Sequence, residues 1–177
     1  MRIYTIGHSN RPLKTFIDLL EGAGVNLLAD IRTKPASRIN PHFNGKALAA
    51  SLAQHGIGYR HIPALGGLRP AADDPSPNTY WQVGAFRNYA DYVMTSEFRA
   101  GLDELLAIAR DQTVAIMCAE ADWHRCHRQI VTDYLLAAGV EVHHILANGI
   151  QEAALHDAAR VEPDGRIVYP AAQNELL

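Results

Sequence analysis

Two short stretches of the chain, Val25 to Ile31 and Thr113 to Cys118, are apolar almost without a break. Both end among polar or reactive side chains: Asp30 and Arg32 in the first case, Cys118 and Glu120 in the second. A strand of this kind has both faces buried, as the strands of a parallel sheet do when helices cover its two sides. Around these runs the apolar period changes. Leu13, Phe16, Ile17, Leu20 and Ala23 recur at helical spacing until the Gly22–Gly24 region stops them, and Phe98, Leu102, Leu105, Leu106 and Ala109 form a second helical stripe. Residues 46–55 and 86–94 read as two further helices, and residues 2–6, 57–62 and 140–146 as further strands. Asp122 reads as the N-cap of a helix that runs to about Ala138 and is ended by Gly139. Residues 63–79, with Pro63, Pro70, Pro75, Pro77 and the pair Gly66-Gly67, read as a long loop of the kind used as lid or binding segment. The last thirty residues suggest a short helix near 150–160 and a strand at Ile167-Val168-Tyr169. Alternating strand and helix predict one α/β domain over residues 1–177, a mainly parallel, Rossmann-like doubly wound sheet with helices on both faces, extended at the C-terminus by residues 147–177.

At 177 residues the chain is long enough to bury a core of its own, and 48% hydrophobic against 20% charged residues is a globular balance. No run of 18 apolar residues is present, and the N-terminal Met1-Arg2-Ile3-Tyr4-Thr5-Ile6-Gly7 reads as a strand and not as a secretory leader, so a cytoplasmic protein without membrane contact is expected. Cys118 and Cys126 are too few for a disulfide framework and are expected to be free thiols. The net charge of −3 hides a segregation. Six of the 16 Lys and Arg residues (Arg32, Lys34, Arg38, Lys46, Arg60 and Arg69) lie between 31 and 72, together with His42, His55 and His61 and no Asp or Glu. Such a segment either pairs with acids elsewhere in the fold or focuses a positive potential that attracts phosphate or carboxylate.

In an open α/β sheet, ligands bind in the crevice beyond the carboxyl ends of the strands. The polar residues of this chain gather there. His8, Ser9 and Asn10 follow the first strand, Asp30 and Arg32 close the second, His61 ends the third, Cys118 and Glu120 close the Thr113 strand, and Asn148 follows the last. Cys118, at a strand end near a helix N-terminus, fits a nucleophile whose thiolate is held by backbone N–H groups and nearby Arg or His, with Glu120, Asp30 or a histidine for acid–base work and His8 as the alternative to Cys118 for the direct chemistry. The plainer reading of Cys118 is a small core hydrophobe. Asp30 and Glu120 could divide acid and base roles, although Asp30 could as readily pair with Arg32 or Arg128. Cys126 on a helix would share the core face with Ile130 and Tyr134, and His127 would share a stripe with Val131 and Leu135. Ser9, Asn10, Arg32, Arg38, His61, Cys126, His127 and Arg128 are the candidates for holding substrate, Arg128 together with the first-turn N–H groups of its helix. Cys118, Cys126, His127 and His8 are zinc-type ligands, but their spacing matches no finger pattern, so no metal or other cofactor is expected. Tyr80, Trp81, Tyr89 and Tyr92 could stack on a base or belong to the core.

These residues resemble a known family, the domain of unknown function numbered 488. The resemblance rests on Tyr4-Thr5-Ile6-Gly7-His8-Ser9-Asn10, then Asp30-Ile31-Arg32, the loop Pro35 to Asn44, the segment Tyr59 to Gly67 with its Leu-Gly-Gly, Phe86 to Tyr92, and the signature Cys-x-Glu-x5-Cys-His-Arg at Cys118 to Arg128. It covers about residues 1–146. Family members often carry Pro where this chain has Trp123, which changes the helix start and not the signature. The resemblance implies a shared fold and a shared site and names no activity. The residues themselves favour an enzyme, a hydrolase or transferase, acting on an anionic, phosphate-bearing nucleotide or nucleic acid. Two alternatives stand beside it: a non-catalytic nucleic-acid-binding module, which the basic strip would serve, and a thiol or metal sensor built on Cys118 and Cys126.

Overall fold

A computed structural model describes residues 1–172. Its six-stranded sheet is made from β1 (Arg2–Gly7), β2 (Leu27–Asp30), β3 (Gly58–His61), β4 (Val114–Cys118), β5 (Glu141–Leu146) and β6 (Gly149–Glu152), in the spatial order β3-β2-β4-β1-β5-β6. The first five strands are parallel, and β6 returns antiparallel along β5 through a two-residue turn. The apolar runs behave as their composition demands. In β4, Val114 and Ile116 join the core on one face, and Ala115 and Met117 join the core on the other. The helices α1 (Leu13–Gly22) and α2 (Gly45–Ala53) cover one side through Phe16, Ile17, Leu20, Leu48 and Leu52. The opposite side is covered by α3 (Gly84–Tyr92), α4 (Ser96–Ala109) and α5 (Arg128–Ala137), through Tyr89, Phe98, Leu102, Leu105, Ile130 and Leu135. The result is the α/β domain the pattern predicts, and no helix among the described residues is long and apolar enough to cross a membrane.

Three local expectations are corrected. Asp122 does cap, but its carboxylate accepts from the His124 N–H at the head of a 3₁₀ turn, Trp123–Arg125, and α5 begins only at Arg128. Cys126 is therefore extended backbone (φ −130°, ψ 150°) ahead of the helix and not a helical core residue. No helix forms near 150–160. The chain there makes β6 and then β7 (Arg160–Val161), which pairs antiparallel with β8 (Ile167–Val168). Trp81 is packed into the core against Tyr169 and Phe86, and the Tyr89 and Tyr92 hydroxyls donate to the carbonyls of Leu65 and Ala64, so these rings brace the loop after β3.

Candidate functional site

The strand order fixes where a ligand can enter. β1 and β4 are neighbours, but the chain leaving β1 crosses to β2 on one side, while the chain leaving β4 crosses to β5 on the other. Their loops diverge and leave a crevice at the switch point, the position where such sheets bind ligands. The parallel ladder continues one step past the strands: His8 N–H donates to the Cys118 carbonyl at 3.0 Å and Ser9 N–H to that of Ala119 at 2.8 Å. Gly7 permits this approach, because a Cβ there would overlap the carbonyl of Glu120. Ser9 turns the chain with a positive φ of 48° and is held by its own N–H and by Asn40, which donates to its carbonyl.

A cavity of about 300 Å³ opens in this crevice, lined by Arg32, Thr33, Gly67, Leu68, Ala85, Phe86, Cys118, Ala119, Glu120, Arg125, Cys126 and His127. Five of the residues expected from sequence line it together: Cys118, Glu120, Arg32, Cys126 and His127. Cys118 sits on its floor, buried, with Arg128 behind it. The Arg128 guanidinium donates from Nε to Cys118 Sγ at 3.0 Å, from Nη1 to Thr5 Oγ1 at 3.1 Å, and from Nη2 to the carbonyls of Glu120 and Ala121 at 2.6 and 3.2 Å. The Arg128 side chain is 1% exposed and does not line the cavity, and four of its five donors are used within the protein. Burial pulls its pKa down to about 9, which still leaves it charged at neutral pH. Its role is to bring a positive charge and an N–H to the sulfur from below.

Cys118 and Cys126 are not the free thiols the sequence predicts: the structure pairs them as a disulfide, their Cα atoms 7.3 Å apart. His127 stands beside them. Its Nε2 lies 2.8 Å from the Ile31 carbonyl, so that nitrogen carries the proton and donates, which leaves the lone pair of Nδ1 facing Cys126 Sγ at 3.4 Å. Burial lowers the His127 pKa to about 4, and the ring is neutral.

Asp30, His8 and Arg32 form a buried layer under the cavity wall. Asp30 is fully buried and accepts from Arg32 Nε and Nη2 at 2.9 and 2.7 Å and from the Tyr59 hydroxyl at 2.6 Å. A carboxylate so enclosed positions Arg32 and has no free face for proton transfer with a substrate. His8 stacks on Phe43, donates from Nδ1 to the Ser9 carbonyl and accepts at Nε2 from Arg32 Nη1 at 3.3 Å; burial lowers its pKa. Neither Asp30 nor His8, both expected in catalytic roles, lines the cavity. Arg32 also donates to the Phe43 carbonyl, so four of its five donors are used, and one N–H has no partner among the described residues. His61 holds the Arg32 carbonyl at 2.7 Å, and Ser9, Asn10 and Arg38 lie outside the lining.

Several lining residues escaped the sequence reading. Arg125, with its side chain 82% exposed and only a 3.9 Å contact to Asp122, is the available cation at the rim. A helix from Asp122 onward gives no signal for Arg125; the 3₁₀ turn at Trp123–Arg125 brings it to the rim. Leu68, Ala85 and Phe86 make the opposite wall apolar, and Leu68 is held there by its N–H to Thr33 Oγ1. The pattern Leu65-Gly66-Gly67-Leu68 at the head of a long loop was the available signal.

The family model described as Domain of unknown function DUF488 matches residues 12–135, about two-thirds of the chain, from the first helix into α5. No curated protein and no solved structure gives a significant match.

Proposed function

The chain belongs to the DUF488 family, and from that premise we propose that it is an enzyme whose Cys118, in the reduced chain, attacks a small anionic substrate, phosphate-bearing or of similar charge, bound in the switch-point cavity. The observation that carries this reading is the Arg128 Nε–H directed at Cys118 Sγ on the floor of an open cavity. An N–H to sulfur hydrogen bond from a cation favours the thiolate, which is the nucleophilic form. The substrate anion is held by Arg125 at the rim and by the spare donor of Arg32, while Leu68 and Phe86 receive its apolar part. Glu120, exposed at the mouth and in no ion pair among the described residues, would relay a proton between solvent and the leaving group.

The alternative of a nucleic-acid-binding module has less support. Three of the six cations between residues 31 and 72 are matched: Arg32 to Asp30, Arg60 to Glu104, and Arg69 to Glu97, the last also stacked over Tyr92. Only Lys34, Arg38 and Lys46 remain exposed without an ion pair among the described residues.

The reading is tested by alkylating the reduced chain with iodoacetamide at pH 6.5 and locating the label by mass. Cys118 is expected to react at least tenfold faster than an ordinary thiol, inorganic phosphate is expected to protect it, and Arg125→Ala to abolish the protection. Glu120→Gln should leave the melting temperature unchanged and lower any turnover of a nitrophenyl phosphate by tenfold or more. Slow alkylation of Cys118 that phosphate does not affect overturns the proposal.

A further inference from the structure

The nucleophile reading above uses one sulfur, yet the cavity holds two, and each has its own partner. Cys118 Sγ faces Arg128 Nε; Cys126 Sγ faces the lone pair of His127 Nδ1 at 3.4 Å and accepts the backbone N–H of Arg128 at 3.5 Å. The chain takes trouble to build this second centre. Cys126 is lifted off the helix by the 3₁₀ turn that Asp122 caps, and a Cβ on Gly67 would come within 2.5 Å of the His127 ring, so the loop passes there only because Gly67 has no side chain. A sulfur kept only as packing would need neither arrangement.

We infer that Cys118 and Cys126 are a working dithiol that reduces a small oxyanion by two electrons, Cys118 being the attacking thiol and Cys126 the resolving one. This rests on the anion site proposed above. The Cys118 thiolate attacks the central atom of the bound oxyanion; a sulfur–substrate bond forms and one oxygen leaves as water, with protons from solvent and Glu120. The Cys126 thiol, oriented by its contact with the lone pair of His127 Nδ1, gives its proton to solvent as its sulfur attacks Cys118 Sγ. The sulfur–sulfur bond forms, the sulfur–substrate bond breaks, and its electron pair stays on the substrate, which is reduced. In sum, two thiols and one oxyanion give one disulfide, one water and the oxyanion with one oxygen fewer. A dithiol from solution reduces the disulfide to complete the cycle. The structure, in which the two cysteines are paired, corresponds to the oxidised end of this sequence. The apolar wall of Leu68, Ala85 and Phe86 keeps water from the adduct while it resolves.

The test uses the full chain, reduced and freed of reductant, with arsenate as the probe oxyanion. One equivalent of arsenite is expected per chain, with loss of both titratable thiols and of two mass units, and repeated turnover once a dithiol is supplied. Cys126→Ser should accumulate the Cys118 adduct, seen by mass, and release at least a hundredfold less arsenite, its melting temperature reporting that it is folded. If the wild-type chain keeps both thiols in arsenate while phosphate still protects Cys118 from alkylation, the dithiol inference falls and the anion site stands. If phosphate also fails to protect, both fall. Oxidation of the pair by hydrogen peroxide with no arsenite formed makes it a sensor and overturns the inference.

Discussion

At Gly67 a methyl group would stand 2.5 Å from Cγ and Nδ1 of His127, closer than real Cβ contacts allow. The φ of this residue is ordinary, so the constraint is space. Gly67→Ala is expected to push the imidazole off the Ile31 carbonyl and away from Cys126, at a cost of about 1–3 kcal/mol of overpacking. Gly84→Ala, where nothing lies within 4 Å, should stay within about 0.5 kcal/mol of the parent. Urea unfolding of the two variants decides the matter, and equal midpoints would show that the loop yields freely around His127. The same scale shows what the sequence could tell of the site. Cys118, Glu120 and Arg32 were legible because each lies at or just past the end of a run whose apolar character fixes the strand. Arg128 was legible as a charge but not in its role. That role depends on three oxygens and a sulfur brought from residues 5 and 118–121, and no local pattern states that these acceptors surround it.

Among the elements, the parallel strands and the helices that cover them were readable because a strand buried on both faces leaves a continuous apolar run and a covering helix leaves a stripe. The tail was not. Its Asn148-Gly149 pair is a hairpin signal, and β6 does turn back there on β5, but a four-residue edge strand exposed along its length carries no alternation to be read. The tail's grip on the domain comes from two residues after it. Ile167 and Tyr169 are buried in the core that covers α5, and the Tyr169 hydroxyl donates to Asp133 Oδ2 at 2.7 Å while Asp133 Oδ1 accepts from the His156 N–H at 2.9 Å. Tyr169→Ala should cost about 3–5 kcal/mol through the cavity it leaves. Tyr169→Phe should cost about 1–2 kcal/mol, since it keeps the ring and removes one donor from a buried carboxylate. Thermal melting of both variants measures this; a loss under about 1 kcal/mol for Tyr169→Ala would mean that the segment after β6 adds little to the domain.

For the whole molecule, acid is the sensitive direction, and the reason lies beneath the loop that leads from β4 to Cys126. His127 and His144 are both held neutral by burial, each with its pKa lowered to about 4. His144 is fully buried, shares a proton with Thr5 Oγ1 at 2.6 Å and lies flat against Trp123, the first residue of the 3₁₀ turn that carries the loop to Cys126. Above pH 6.5 both histidines are neutral whether the chain is folded or not, and their contribution to stability is fully present. Between about 6.5 and 4 the unfolded chain takes up protons that the folded chain refuses, so stability falls as pH falls. Each histidine withdraws up to roughly 3 kcal/mol across that window, and less for His127, which keeps some contact with solvent. Near pH 5 the two together should give a slope of about 2–3 kcal/mol per pH unit, a large share of the 5–15 kcal/mol that holds a typical domain together. His8, lowered in the same direction, adds to it. Urea midpoints between pH 7.5 and 4.5 would read this slope, and His144→Phe, which keeps a flat ring against Trp123 without a titrating group, should remove up to half of it. A profile level from pH 7 to 5 would mean that these rings are protonated in the folded chain and that the loop above them carries charge at its base, a condition under which His127 Nδ1 would have no lone pair to accept from the Cys126 thiol.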